Sequence, residues 1–142
     1  MTTQAEGRAR GGEVTKQART GKTGIKQGDP QIATMALAAT FSRADARDNG
    51  VIIADEAHRL GVDLVLEPFI NIDRDIEFAR GYNTYGEDPV LSGAIGAELI
   101  AGIQSRGVMA QAKHFAGYDA NSYDVVIDDQ TLHEVYLAPF VD

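Results

Sequence analysis

The sequence contains no cysteine. That excludes a disulfide framework and any thiolate metal site. It contains no apolar run near the roughly 20 residues that a membrane helix needs, and no signal-peptide core follows Met1. The expectation is a soluble chain, with the cytoplasm as its default location and no membrane partner. No His-x3-His or related spacing suggests a metal, so no metal or other cofactor is expected. Positive charge is also scarce in the body of the chain. Residues 32–142 hold seven Lys and Arg against eighteen Asp and Glu, within a net charge of −8. A phosphate backbone needs a positive face, so nucleic acid is not expected as a partner.

What is present suffices for one folded domain. The 142 residues are 44% hydrophobic, enough apolar material for a core. Residues 1–31 differ from the rest, with six Lys and Arg against three acids and no apolar periodicity. Residues 1–30 therefore read as a flexible basic segment, either a tail or a non-native leader, and residues 31–142 as the domain.

Beyond Gln31 the chain alternates between helical and extended patterns. Ser42-Arg43-Ala44-Asp45 is a capping signal, and Ala46, Gly50, Ile53, Ala57 and Leu60 follow at helical spacing until Gly61. Asn49-Gly50 offers a competing turn within that run. VDLVLEP, residues 62–68, reads as a buried strand closed by proline. Asp88-Pro89 opens a second helix in which Leu91, Ile95, Leu99 and Ile103 recur every four residues, and Gly107 ends it. VMAQAKHFA, from Val108, is the next strand, and residues 131–140 read as a further helix. This βα alternation predicts residues 62–67 and 108–114 as neighbouring parallel strands, with a right-handed crossover through the helix at about 88–106. A doubly wound sheet and a (β/α)8 barrel both fit. A barrel needs roughly 200–250 residues, so on that reading the chain is an incomplete α/β barrel.

In parallel α/β folds the chemistry sits at strand C-termini. Lys113-His114 ends an apolar strand, where a cation and an imidazole have little structural use unless the lysine is a buried half of an ion pair. Together they donate hydrogen bonds and supply positive charge without acting as a nucleophile, which suits holding hydroxyls. The run Asn71-Ile72-Asp73-Arg74-Asp75-Ile76-Glu77 alternates oxygen ligands, but an EF-hand loop would want Gly at Ile76 and Glu at Tyr82. It reads instead as a solvated or salt-bridged loop with Arg74 and Arg80. His58 and His133 lie within helical patterns beside charged neighbours, where surface or capping roles are expected.

Several of these stretches also occur together elsewhere. Asn71-Ile72-Asp73-Arg74-Asp75, Arg80, Tyr85-Gly86-Glu87-Asp88-Pro89, Gly107-Val108, Lys113-His114-Phe115-Ala116 and Tyr136-Leu137-Ala138-Pro139-Phe140 come in the order and spacing of glycoside hydrolase family 3. From about Gly24 to Asp142 the chain resembles the N-terminal (β/α)8 domain of that family's β-glucosidases. The resemblance implies a glycosidase whose full-length form hydrolyses terminal β-D-glucosyl residues with retention, acting on a small β-glucoside or cello-oligosaccharide. It assigns Arg80, Lys113 and His114 to the glycone hydroxyls, and the physical reading agrees, since several charge-assisted bonds orient a polyol.

The departures from the family pattern are specific. The glutamate usual three residues after the arginine is Asn83 here. The aspartate of a DGP-like segment is replaced by the stretch Arg19-Thr20-Gly21-Lys22-Thr23. The resemblance puts the nucleophilic aspartate on a strand beyond Asp142 and the acid/base glutamate in a further domain, so no catalytic residue is expected within the chain. The loop after His114 lacks the proline and second histidine of the N-acetylglucosaminidase branch. Asp119 and Asp124 are expected to cap the loop or rim the site. The rival expectation is a non-catalytic sugar-binding or scaffold module, and the exposed strand edges of a partial barrel favour self-association.

Overall fold

The computed structural model describes residues 32–119 and 124–141. The boundary between the basic segment and the domain, and the stretch that replaces the DGP-like aspartate, lie outside the described residues.

Helix α1, Thr34–Ala38, is an element that the periodicity did not announce, because five residues are too few to establish a face. Helix α2, Arg43–Leu60, begins where the capping signal placed it, with the Ser42 side chain accepting from the Asp45 N–H. It ends at Gly61, whose φ of 70° only glycine adopts without cost. The helix runs straight through Asn49-Gly50, so the turn is not made. Gly50 is buried against helix α3, Pro89–Ser105, whose own start is capped by Asp88 accepting from the N–H groups of Val90 and Leu91. Ile53, Ala57 and Leu60 from α2 meet Ile95, Leu99 and Ile103 from α3 in one core with Val62, Val65 and Val108.

Strands β1, Leu64–Val65, and β2, Met109–Ala110, are parallel and in register Leu64 with Met109 and Val65 with Ala110. The parallel pairing joined through α3 is the arrangement expected. Both strands are shorter than the sequence predicted, and the hydrogen bonds give the reason. Met109 N–H donates to Asp63 C=O and Gln111 N–H to Val65 C=O, after which Lys113 N–H donates to Pro68 C=O and Ile70 N–H to Lys113 C=O. One chain advances three residues, from 65 to 68, while the other advances two, from 111 to 113. Pro68 has no N–H to give, and the extra residue breaks the ladder as a bulge does before pairing resumes at Phe69 and Lys113.

The single helix expected over residues 131–140 is instead three short turns. They are Asp129–Thr131 (α4), a wide turn at Leu132–Tyr136 and a tight one at Ala138–Phe140. Leu137 N–H reaches back five residues to Leu132 C=O. Pro139 explains the break, since its ring excludes the regular helical bond at that point.

Candidate functional site

The polar loops after β1 and β2 lie side by side because the resumed pairing ties Phe69 to Lys113. Phe69 is 1% exposed, and its ring is the common neighbour of the three residues singled out in the sequence. The Arg80 guanidinium carbon stands 4.7 Å from the ring centroid, Lys113 Nζ stands 5.9 Å away, and the His114 ring meets it edge-on at 5.0 Å. An aromatic face attracts cations, each such contact being worth on the order of 0.5–2 kcal/mol. Phe69 therefore gathers two positive groups that would otherwise repel. Lys113 is buried, while Arg80 and His114 are half-buried.

Arg80 and His114 each have a further supporting contact. Arg80 Nε donates to Asn83 Oδ1 at 3.2 Å, so the asparagine at the position where the family has glutamate still supports the arginine. The main chain between them closes a short turn, Gly81–Asn83, and Gly81 leaves room there for the Asp73 carboxylate, which stands 2.8 Å from where a Cβ would lie. His114 is bracketed by Asn71, which is 3% exposed. Tyr118 packs against the His114 ring at 4.6 Å and against Phe78 at 5.3 Å, completing an aromatic wall. Sequence reasoning missed Phe69 and gave Asn71 no part of its own. A buried phenylalanine after a proline carries no signal, whereas a buried asparagine just beyond a strand could have been suspected.

The acids of the first loop are not arranged for a metal. Among the described residues no group of three or more His, Asp or Glu could hold one. Burial, with Glu87 and Asp75 nearby, pushes the Asp73 carboxyl above its ordinary range. Arg74 leaves that loop to reach Tyr136, with Nη1 donating to the hydroxyl at 3.3 Å and the guanidinium 5.5 Å from the ring centroid. The Tyr136 hydroxyl donates in turn to Asp119, which is 5% exposed. Burial and this carboxylate push the Tyr136 phenol up. Asp119 is thus a structural acceptor that holds the second loop to the C-terminal turns, and Asp124 is exposed.

His58 and His133 do cap, since His58 Nε2 lies 2.6 Å from the Arg106 carbonyl and His133 Nδ1 lies 2.8 Å from that of Asp129. A cavity of about 100 Å³ between α3 and the C-terminal turns is lined by Ile70, Gly96, Ile100, Pro139 and Phe140 among others. Its lining is apolar and includes none of the three polar site residues.

Residues 18–142 match the model of the glycosyl hydrolase family 3 N-terminal domain. The chain belongs to that family. Among relatives, "Probable beta-glucosidase H" of Emericella nidulans is 37% identical over 109 residues, covering 74% of this chain and 13% of the relative. Among solved structures, a β-glucosidase from Streptomyces venezuelae in complex with D-glucose superposes with a TM-score of 0.78 at 34% identity, over 89% of this chain and 17% of that one. A β-glucosidase from Kluyveromyces marxianus in complex with glucose gives 0.79 at 28% identity, over 94% of this chain and 16% of that one. This family 3 chain spans 13% of the length of the first relatives it matches. Its described portion is a two-stranded parallel unit with its crossover helix and flanking helices.

Proposed function

We propose that this chain forms part of the (β/α)8 wall of a retaining β-glucosidase. In this reading residues 1–30 are a basic lead-in, residues 31–142 belong to the barrel domain, and β1, α3 and β2 are one of its repeating units. Arg80, Lys113 and His114 contact hydroxyls of a terminal β-D-glucosyl unit on a small β-glucoside or cello-oligosaccharide. The observation that carries the proposal is the convergence of these three side chains on Phe69, at the ends of two adjacent parallel strands. Strand ends are where parallel barrels place their ligands. The glucose-bound β-glucosidases it superposes on support the choice of sugar.

The test is a titration of the 15N-labelled chain with methyl β-D-glucopyranoside, followed by amide chemical shifts. Weak binding is expected, with a Kd of about 1 mM or above, because water reaches a partial site and screens its charges. Shifts centred on Phe69, Arg80, Lys113 and His114, and lost in Arg80→Ala, support the assignment. Shifts confined to the α2–α3 face would sink it.

β2 also presents Met109, 58% exposed, at an edge with no further strand among the described residues. Self-association through this edge is proposed as a property of the chain on its own, readable by sedimentation velocity as a concentration-dependent dimer.

A further inference from the structure

Tyr118 belongs to the aromatic wall by its ring and not by its hydroxyl. The ring meets His114 edge-on at 4.6 Å and Phe78 at 5.3 Å, and its centroid stands 6.3 Å from that of Phe69. With three rings against it, the residue is still 36% exposed, and no described group hydrogen-bonds its hydroxyl. Tyr136 shows the contrast, since its hydroxyl donates to Asp119 and accepts from Arg74. The backbone that presents Tyr118 is held at both ends. Before it, the Asn71 amide donates to the His114 carbonyl at 2.8 Å and accepts from the His114 N–H at 2.6 Å. After it, Asp119 is buried on the Tyr136 hydroxyl. Between these ties Ala116 and Gly117 are both left-handed, with φ of 46° and 73°, a conformation that alanine adopts only at a cost. The reversal brings Tyr118 back onto a ring only four positions earlier in the chain. We propose that Tyr118 is a sugar-contacting residue, whose hydroxyl shares a hydrogen bond with one hydroxyl of the terminal glucosyl unit.

The chemistry of the group suits that partner. A phenol is uncharged, and it can donate one hydrogen bond and accept another, as a sugar hydroxyl can. Arg80 and Lys113, gathered on the Phe69 ring that Tyr118 also approaches, can only donate. Tyr118 therefore adds to the wall a group that can take a hydrogen from the ligand. Because the loop is tied at His114 and at Asp119, little ordering is left to oppose the bond. A fixed phenol also discriminates, since a sugar lacking the matching hydroxyl leaves the tyrosine facing nothing it can bond. Tyr118 is then a specificity-determining residue, sensitive to one position of the sugar ring. The identity of the ligand rests on the sugar-binding reading, and the experiment separates the two.

Tyr118→Phe removes the hydroxyl and keeps the ring contacts, so the urea midpoint should stay where it is in the wild type. The full 15N-labelled chain and this variant are titrated with methyl β-D-glucopyranoside and with its 2-, 3-, 4- and 6-deoxy analogues, and Kd is read from amide shifts. For the parent glucoside, Tyr118→Phe is expected to raise Kd about threefold to tenfold, the loss of one neutral hydrogen bond. For one deoxy analogue, wild type and variant should bind equally, because the partner hydroxyl is already gone. For the other analogues the threefold to tenfold difference should persist. A parent glucoside bound equally by both proteins, with shifts still centred on Phe69 and Arg80, would overturn the role of Tyr118 and leave the sugar reading standing. The same loss for the parent and all four analogues would also overturn it, since a merely structural effect on the wall does not depend on which sugar hydroxyl is missing. A wild-type chain that shows no shifts with any of these glycosides would overturn the sugar reading itself, and the assignment of Tyr118 with it.

Discussion

Gly50 and Gly102 face each other where α2 crosses α3, so closely that the two backbones are in contact. A Cβ on Gly102 would lie 2.1 Å from the Arg47 carbonyl oxygen and 3.0 Å from the Gly50 Cα, and one on Gly50 would lie 2.3 Å from the Leu99 carbonyl oxygen. Backbone cannot move aside as a flexible side chain can. Two effects oppose each other in Gly102→Ala. Alanine gains about 1 kcal/mol in helix propensity, while overpacking a close contact costs roughly 1–3 kcal/mol and more when backbone must shift. The clash wins. Gly102→Ala is expected to lower the free energy of unfolding by about 2 kcal/mol, measured by urea denaturation. A higher urea midpoint would show that the helices stand further apart than this.

The alkaline limit of stability should be set in part by Tyr136. Its phenol is pushed above the ordinary value near 10 by burial and by Asp119, with Arg74 pulling the other way. Burial, with Glu67 nearby, pushes Tyr85 up as well. The fold thus favours the protonated phenol. The stabilisation is complete below the unfolded pKa and is lost as pH rises through the folded one. The urea midpoint should stay level from neutral pH to about 9 and fall above about 10. Tyr136→Phe removes the donor to buried Asp119 and should cost about 1–2 kcal/mol at pH 7. It should also make the alkaline fall shallower, with Tyr85 supplying what remains. An equally steep fall in the variant would assign the limb to other groups.

The helices and their faces were legible in the sequence because caps and periodicity are local. Ser42, Asp88 and Gly61 each mark an end that the structure keeps. The course of α2 through Asn49-Gly50 was less legible, since a turn signal is also local. What overrides it is a contact with Gly102, fifty-two positions away. The strands were overestimated because an apolar run does not reveal a bulge, and Pro68 limits the ladder only once its partner is known. Of the candidate site, Lys113, His114 and Arg80 stood out as polar residues after strands. Phe69, which gathers them, and Asn71, which brackets His114, are defined only by the pairing of the two loops. The C-terminal break at Pro139 was readable, since a proline near the end of a helical pattern is a local signal.

Asn83 should matter for sugar binding and little for folding. It accepts from Arg80 Nε and is half-buried at the end of the turn that begins at Gly81. Asn83→Ala removes one hydrogen bond that orients the guanidinium over Phe69, an effect of about 0.5–1.5 kcal/mol. The Kd for methyl β-D-glucopyranoside is expected to rise about threefold to tenfold, with the urea midpoint nearly unchanged. Unchanged affinity would mean that Phe69 alone orients Arg80.

The last prediction separates binding from turnover. Retaining hydrolysis needs a carboxyl group on each side of the scissile bond, roughly 5–5.5 Å apart. Asp119 is the carboxylate that follows His114 and Tyr118 in the second loop, and it is buried and engaged by Tyr136. A carboxylate held in that way is neither free to attack an anomeric carbon nor poised to protonate a leaving oxygen. The resemblance places the nucleophile and the acid/base on parts of the family fold beyond these residues. Arg80, Lys113 and His114 can hold hydroxyls and orient a sugar, which lowers a barrier only when the reacting groups are also in place. The isolated chain is therefore expected to release no p-nitrophenol from p-nitrophenyl β-D-glucoside above the uncatalysed rate. Lys113→Ala and Asp119→Asn should give the same flat traces. Steady turnover by the wild-type chain that disappears in Asp119→Asn would make that aspartate a catalytic carboxylate and the chain an enzyme by itself.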